Sequence, residues 1–419
     1  MVTESRKLAY QLLMHVEAGA YANIKLPQLL KKSNLSKQDR GFVQELAYGT
    51  LRMKIQHDAL IGEVTEIKKL ETSVLNILRM GLHEFLNMRT ETHAAVDQAV
   101  ELCKAEAPKA AGLVNACMRK LSSNAEQWLE ELNSGEDKVA TFAHPKWIID
   151  ALSASREMDT AGDVEALLIE NNKSPKPQMV ALPPNPLPEN SISLPLSEFG
   201  FESMDGLDLT NYRYQDQGSQ LVTQIAAKAA PNGNWLDMCA GPGGKASLLA
   251  AIASQRDSSL TAIELYPKRA DMVRHGLKGF ANAKVFASDA LTFDYQSDYE
   301  LILIDAPCTG LGALRRKPES RHNKHPGQIQ ELNEIQRNLL SKASTITAKG
   351  GVIAYVTCSP LIEETTSIAR WFLDNHPDYE ILPWSDYSDI SANKNRSTLQ
   401  LWSDRDNADC MFLALFQKQ

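Results

Sequence analysis

From Gln215 onward, apolar runs of strand length alternate with stretches of helical periodicity, and no other feature narrows the fold of this chain so far. WLDMCAG (235–241), LTAIEL (260–265), KVFASDA (284–290), YELILIDAP (299–307) and GGVIAYVTCS (350–359) read as strands, separated by helical patterns such as SLLAAIA (247–253). Such alternation predicts a doubly wound, Rossmann-like parallel sheet over residues 215–419, with ligands beyond the carboxyl ends of its strands. Upstream, from Arg6 to about Asn133, the pattern is helical. Leu8, Leu12, Leu13 and Val16 share one face, and Ser33 and Ser36 stand as turn or cap residues before the next run. This predicts an all-α domain over residues 1–138. Between the two lies proline-rich KPQMVALPPNPLPEN (176–190), so residues 139–214 read as a small α/β connector with one helix around Val164 to Ile169.

The 419 residues, 43% hydrophobic and 23% charged, allow a sizeable core in two or three domains. The start, MVTESRKLAYQLLMHV, breaks its apolar residues with charge, and no stretch has the length of a membrane span, so the expected compartment is the cytoplasm. A monomer with no membrane partner is expected. Six cysteines without a short-spaced pair predict reduced thiols rather than a disulfide framework. A net charge of −8 argues against indiscriminate binding of polyanions, which needs clustered Lys and Arg.

The first strand runs into Cys239, Ala240, Gly241, Pro242, Gly243, Gly244 and Lys245, ahead of a helix. A glycine turn of this kind lets backbone approach a ligand, although a tight strand-to-helix connection is its plain alternative. Glu264 sharpens the reading, because it ends the second strand 20 residues after Gly244, where a carboxylate can accept from ribose hydroxyls. The loop is neither GxGxxG nor a Walker motif. A ribose-bearing adenosyl ligand without phosphates therefore fits better than a dinucleotide or triphosphate. Asp289 would accept from an adenine amino group, and Asp305 would face the reactive end. Each acid taken singly is more often a cap or turn residue. Four strand ends carrying acid or glycine in register are harder to dismiss.

Two strands also end on cysteine: Cys308 in Asp-Ala-Pro-Cys and Cys358 in Thr-Cys-Ser-Pro. A lone strand-end cysteine is by default a small buried hydrophobe. Two of them opening toward one crevice point to nucleophilic chemistry. A zinc site with His322 and His325 fits no common ligand spacing.

Taken together, DAPC, TCSP and CAGPGGK resemble the RNA 5-methylcytosine methyltransferases, which use S-adenosyl-L-methionine. The likeness covers about residue 215 to the end. FVQELAYGTLR (42–52) and VNACMRK (114–120) are similar to the NusB-like RNA-binding domain of the RsmB-type branch, which acts on bacterial small-subunit (16S) ribosomal RNA. Gly241 stands where many members carry Ala, and Glu264 where Asp is frequent; both departures bear on cofactor affinity. The resemblance assigns attack on carbon 6 of cytosine to Cys358 and places Cys308 near the release step. Independently, carbon 5 of cytosine is too weakly nucleophilic to take a methyl group until a thiolate adds at carbon 6. Asp305 would hold the base edge and favour protonation at N3. Lys245 would orient the cofactor or the pocket acids, with a solvent-facing helix-start lysine as the plain alternative.

The segment ALRRKPESRHNKH holds Arg315, Arg316, Lys317, Arg321 and Lys324 against Glu319. Close after Cys308, it is expected to grip phosphates flanking a cytosine turned out of its stack, against the alternative of a solvated charged face. Basic residues of the helical domain, Arg6, Lys7, Lys31, Lys32, Arg52, Lys54, Arg119 and Lys120, are implied by the NusB-like resemblance to help choose the RNA. Competing readings are the same chemistry on transfer RNA or another ribosomal site, and a non-catalytic RNA-binding assembly factor. An amino-group methyltransferase would want an Asn/Asp-Pro-Pro-Tyr/Phe strand end, which DAPC is not.

Overall fold

A computed structural model describes residues 2–390 and 396–419. The chain divides into a helical unit, Met1–Pro175 with Leu314–Lys324, and an α/β unit, Lys176–Ala313 with His325–Gln419. Among the described residues no helix is long and apolar enough to cross a membrane.

The helical unit opens with helices Glu4–Glu17, Ala22–Lys31, Lys37–Arg52 and Lys54–Gly62, followed by Thr72–Asn87, Thr92–Glu106 and Ala111–Ser134. Its core follows the sequence periodicity: Leu12, Leu13 and Val16 are buried, and Leu8 packs partly against the same cluster. Ser36 caps Lys37–Arg52, its hydroxyl accepting the Asp39 N–H at 3.1 Å, and Ser33 closes the preceding turn by donating to the Leu30 carbonyl at 2.9 Å.

The connector expected over 139–214 does not form one body. Helices Lys146–Met158 and Val164–Asn171 belong to the helical unit, whereas strands β1 (Gln178–Ala181), β2 (Gly200–Glu202) and β3 (Tyr212–Tyr214) belong to the α/β unit. Burial explains the split. The antiparallel sheet β2-β1-β3 places Val180 against Leu248 and Ala251, while the Asn171 carbonyl at the end of Val164–Asn171 is hydrogen-bonded inside the helical unit by Arg321.

The main sheet comprises β4 (Asn234–Asp237), β5 (Ser259–Glu264), β6 (Ala283–Ala287), β7 (Tyr299–Asp305), β8 (Thr347–Thr357), β9 (Tyr379–Leu382), β10 (Leu399–Gln400) and β11 (Phe412–Lys418). Its order is β10-β11-β8-β7-β4-β5-β6, with β9 also on β11. Strands β4 to β8 pair in parallel, as the alternating pattern predicts, and β11 runs antiparallel to β8, so the sheet is mixed. Alternate residues feed opposite cores. Leu301, Leu303, Val352, Ala354 and Val356 face one layer, and Ile302, Ile304, Ile353 and Tyr355 the other.

Candidate active site

Strand order reverses between β4 and β7, because the chain moves from β4 to β5 and β6 on one side and from β7 to β8 on the other. Ligands of open α/β sheets bind beyond the carboxyl ends at such a point. Here Cys239 to Gly244 turn from β4 into the helix Gly244–Ser254, and Asp305 ends β7. Lys245 Nζ meets Asp305 Oδ2 at 2.9 Å, so this lysine reaches inward across the switch point rather than facing solvent. Its ammonium is held above the ordinary lysine range: burial opposes the charge, but Asp305, Cys358 and Asp237 together outweigh that penalty.

The glycine loop is fastened to β5. Ala240 N–H donates to the Ile263 carbonyl at 2.9 Å, and the Glu264 carboxylate accepts the N–H groups of Gly241 and Tyr266, each at 3.0 Å. Arg269 donates to the Gly241 carbonyl at 2.6 Å and lies 3.5 Å from Glu264. A Cβ at Gly241 would sit 2.1 Å from Glu264 Oε2. The two departures from the family pattern therefore explain each other: the longer Glu264 fills the space an alanine methyl would need. Asp289, which ends the third strand region, caps its own turn by accepting the Leu291 N–H at 2.9 Å.

Asp237, passed over in the sequence reading, is fully buried at the end of β4. Its Oδ1 accepts the Cys239 N–H at 3.2 Å, while Oδ2 is buried without a hydrogen-bond partner. Burial first, then repulsion from Asp305 and Glu264, pushes its carboxyl up to about 7 despite Lys245. An aspartate closing an apolar strand was the available signal. Burial and the same acids, Asp237, Asp305 and Glu264, also keep the Cys239 thiol protonated.

Strands β7 and β8 are parallel neighbours in which Asp305 pairs with Val356, so the loops beyond them run side by side. Cys308 Sγ and Cys358 Sγ lie 3.5 Å apart, both residues part-exposed. The Cys308 thiol is raised well above its ordinary range, first by its hydrogen bond to Cys358, then by burial and the charges of Cys358, Glu364 and Asp305. Gly312 lets the loops approach: its N–H donates to the Cys358 carbonyl at 2.9 Å, and a Cβ there would stand 2.2 Å from the Cys410 carbonyl oxygen. Glu364 was also missed by sequence reading, since it lies in a short helical turn with no motif of its own.

The basic segment requires a correction. Leu314–Lys324 belongs to the helical unit, with Arg315 and Arg321 buried in it at 1% and 0% exposure. Arg315 pairs with Glu170 at 2.9 Å, and Arg321 donates to the carbonyls of Arg52, Ala143 and Asn171 and to Asn172 Oδ1. Neither forms a solvent rim, because the Glu170 carboxylate claims the Arg315 guanidinium and backbone carbonyls claim that of Arg321. Arg316 and Lys317 are part-exposed. In the same unit Arg52 is buried, and Arg6 and Lys54 pair with Glu84 and Glu17, whereas Lys31, Lys32, Arg119 and Lys120 are exposed. His322 lies 2.8 Å from the Leu51 carbonyl within this unit, and His325 belongs to the other unit.

Residues 224–417 match the family model described as 16S rRNA methyltransferase RsmB/F, and residues 3–123 match the NusB family. Ribosomal RNA small subunit methyltransferase B of Pseudomonas syringae pv. tomato is 31% identical, over 88% of this chain and 86% of its own. The Mycobacterium tuberculosis protein Rv1407 is 34% identical, over 99% of this chain and 96% of its own. The crystal structure of PH0851 covers 100% of both chains at 19% identity with a TM-score of 0.81, which shows a common fold. The chain therefore belongs to the 16S rRNA methyltransferase RsmB/F family and is an RNA methyltransferase with a NusB-family helical region.

Proposed function

We propose that this protein transfers a methyl group from S-adenosyl-L-methionine to carbon 5 of a cytosine in small-subunit (16S) ribosomal RNA, through a covalent adduct with Cys358. The observation that carries the reading is the 3.5 Å separation of the Cys308 and Cys358 sulfurs beside the Lys245–Asp305 pair. A single attacking cysteine needs no second thiol at its side. Two thiols in contact let one add to the base and the other donate a hydrogen bond to it as it departs.

The residues at the switch point fit the cofactor: the partnerless buried Asp237 Oδ2 and the Gly241 loop, too close to Glu264 for any side chain, form a polar cradle for a small ligand. Glu264 would hold its ribose hydroxyls, Asp289 its adenine amino group, and the Cys239–Lys245 loop its backbone-facing side. When bound, S-adenosyl-L-methionine supplies the electrophilic methyl group. The Cys358 thiolate adds to carbon 6, and the displaced electron pair makes carbon 5 nucleophilic while Asp305, oriented by Lys245, favours a proton on N3. After methylation, loss of the carbon 5 proton re-forms the double bond and expels Cys358, and Cys308 acts at this departure. Arg316 and Lys317 remain candidates for phosphate contact.

The two cysteines should fail differently. Cys358→Ala should form neither product nor adduct, and Cys308→Ala should accumulate a denaturant-resistant protein–RNA adduct only when S-adenosyl-L-methionine is supplied. A denaturing gel with labelled RNA reads both. If neither substitution changes methylation, covalent catalysis is abandoned. Bisulfite mapping of ribosomal and transfer RNA with and without the gene identifies the target, and a site lost outside 16S RNA would replace that part of the proposal.

A further inference from the structure

Thr309, directly after Cys308, donates both its backbone N–H, at 2.7 Å, and its hydroxyl, at 2.5 Å, to the carboxyl group of Glu364. Gln336 Nε2 lies 3.5 Å from the same carboxyl and donates at 2.9 Å to the carbonyl of Pro307, directly before Cys308. The backbone on both sides of Cys308 is thus clamped by one buried pair. Ser359, directly after Cys358, places its hydroxyl 3.3 Å from that of Thr309, which links the clamp to the attacking cysteine's loop. Glu364 is 0% exposed, and its own carbonyl accepts the Tyr355 hydroxyl at 2.8 Å. Enclosed in this way, it touches no substrate.

A buried carboxyl group with no cationic partner among the described residues is a costly way to tie a loop, and an apolar side chain would pack there more cheaply. We infer that Glu364 is a positioning residue for the release step, holding Cys308 Sγ against the sulfur of Cys358 through Thr309 and Gln336. This rests on the covalent-adduct reading. In release, carbon 5 loses its proton to water and the electron pair re-forms the carbon 5–carbon 6 double bond. The carbon 6–sulfur bond breaks, and the departing thiolate of Cys358 accepts a hydrogen bond from the S–H of Cys308. The negative charge of Glu364 acts in the same sense, since it helps to keep the proton on Cys308.

The test is Glu364→Gln, which keeps the shape but sets an amide N–H group against one of the Thr309 donors, with Thr309→Val as a second variant that leaves Glu364 in place. Methyl transfer in a single turnover should stay close to wild type. Steady-state turnover should fall about tenfold to a hundredfold, the scale of a lost hydrogen bond to a charged acceptor. The cofactor-dependent adduct should accumulate in both variants, and Thr309→Ser should behave as wild type. A merely structural role would lower single-turnover transfer and steady-state turnover in parallel without adduct, and that result overturns the proposal. Cys308→Ala runs alongside. Adduct in Cys308→Ala but none in Glu364→Gln sinks the positioning role alone, whereas no adduct in Cys308→Ala removes the release reading and the proposal with it.

Discussion

Among the described residues, buried cationic side chains occur in the helical unit alone, where Arg52, Arg79, Arg156, Arg315 and Arg321 lie with His57, His83, His144 and the carboxylates Glu84, Asp159 and Glu319, whereas the charged side chains buried in the α/β unit are all carboxylates: Asp216, Asp237, Glu264, Glu364 and Asp409. The contrast follows from which backbone groups each architecture leaves over. Helices packed end to end leave carbonyls, the orphan acceptors of their last turns, and these favour cations. Arg321 collects the carbonyls of Arg52 and Asn171, each the last residue of its helix. The carboxyl ends of parallel strands leave N–H groups in tight turns, which favour carboxylates. Glu264 takes two of them, from Gly241 and Tyr266, and Glu364 takes one from Thr309. Buried cations are therefore architectural in the first unit, and in the second Glu264 and Glu364 tie down the loops at the strand ends.

The largest effect that would break this comparison comes from Arg321→Ala. Four buried oxygens lose a charged donor at once, so the helical unit should lose on the order of 3–5 kcal/mol, two or more charge-assisted hydrogen bonds' worth. Native-state hydrogen exchange should show the loss in helices Lys37–Arg52 and Val164–Asn171 and leave β4 to β8 protected. Uniform loss across both units would mean that Arg321 is not private to the helical one.

That arginine also shows where sequence reading stops. The strands β4 to β8, the glycine loop, Glu264, Asp305 and both cysteines were legible because each sits where an apolar run ends, and a run's end marks the ligand side of a parallel sheet. The helical face of Leu12, Leu13 and Val16 was legible from its period. Arg315 and Arg321 were not, because a cluster of basic residues looks the same whether it faces phosphate or, as here, a buried carboxylate and a helix-end carbonyl more than a hundred residues away in sequence. The antiparallel β11 was hidden for another reason: its apolar run shows no partner direction. Asp237 and Glu264 lie in equivalent strand-end positions, yet only the burial of the first reveals that one of its oxygens lacks a partner.

A smaller effect sharpens the other half of the comparison. Gly241→Ala should drive a methyl group into Glu264 and weaken S-adenosyl-L-methionine binding by about 1–3 kcal/mol, the usual cost of overpacking, without unfolding the unit. Adding Glu264→Asp shortens the carboxylate and should restore much of that affinity. Calorimetry of cofactor binding on the single and double variants measures the coupling, expected at about 0.5–3 kcal/mol for residues in contact. Additive losses would show that the two departures from the family pattern are unrelated.

The smallest effect is a difference in the sign of two pH dependences. Burial, with Arg79 nearby and only partly offset by Asn87, pulls His57 down to about 3, and His83 beside it is likewise pushed well below its ordinary value. Below pH 6.5 the unfolded chain binds a proton at His57 that the folded helical unit refuses. Stability of that unit should therefore fall with acid, by about 1.4 kcal/mol per pH unit for this one group. Asp237 behaves in the opposite way. Its folded value near 7, set by burial and by Asp305 and Glu264 against Lys245, means that between pH 7 and 3.8 the folded α/β unit keeps a proton the unfolded chain has released. This contribution grows, by at most about 1.4 kcal/mol per unit, as pH drops through that window. Hydrogen exchange resolved by unit between pH 7 and 5 should show protection falling in the helices and holding or rising in β4 and β7. Asp237→Asn should remove the rise, and His57→Gln should flatten the fall. Parallel decline in both units, unchanged by either substitution, would end the assignment of opposite pH dependences to His57 in the helical unit and Asp237 in the α/β unit.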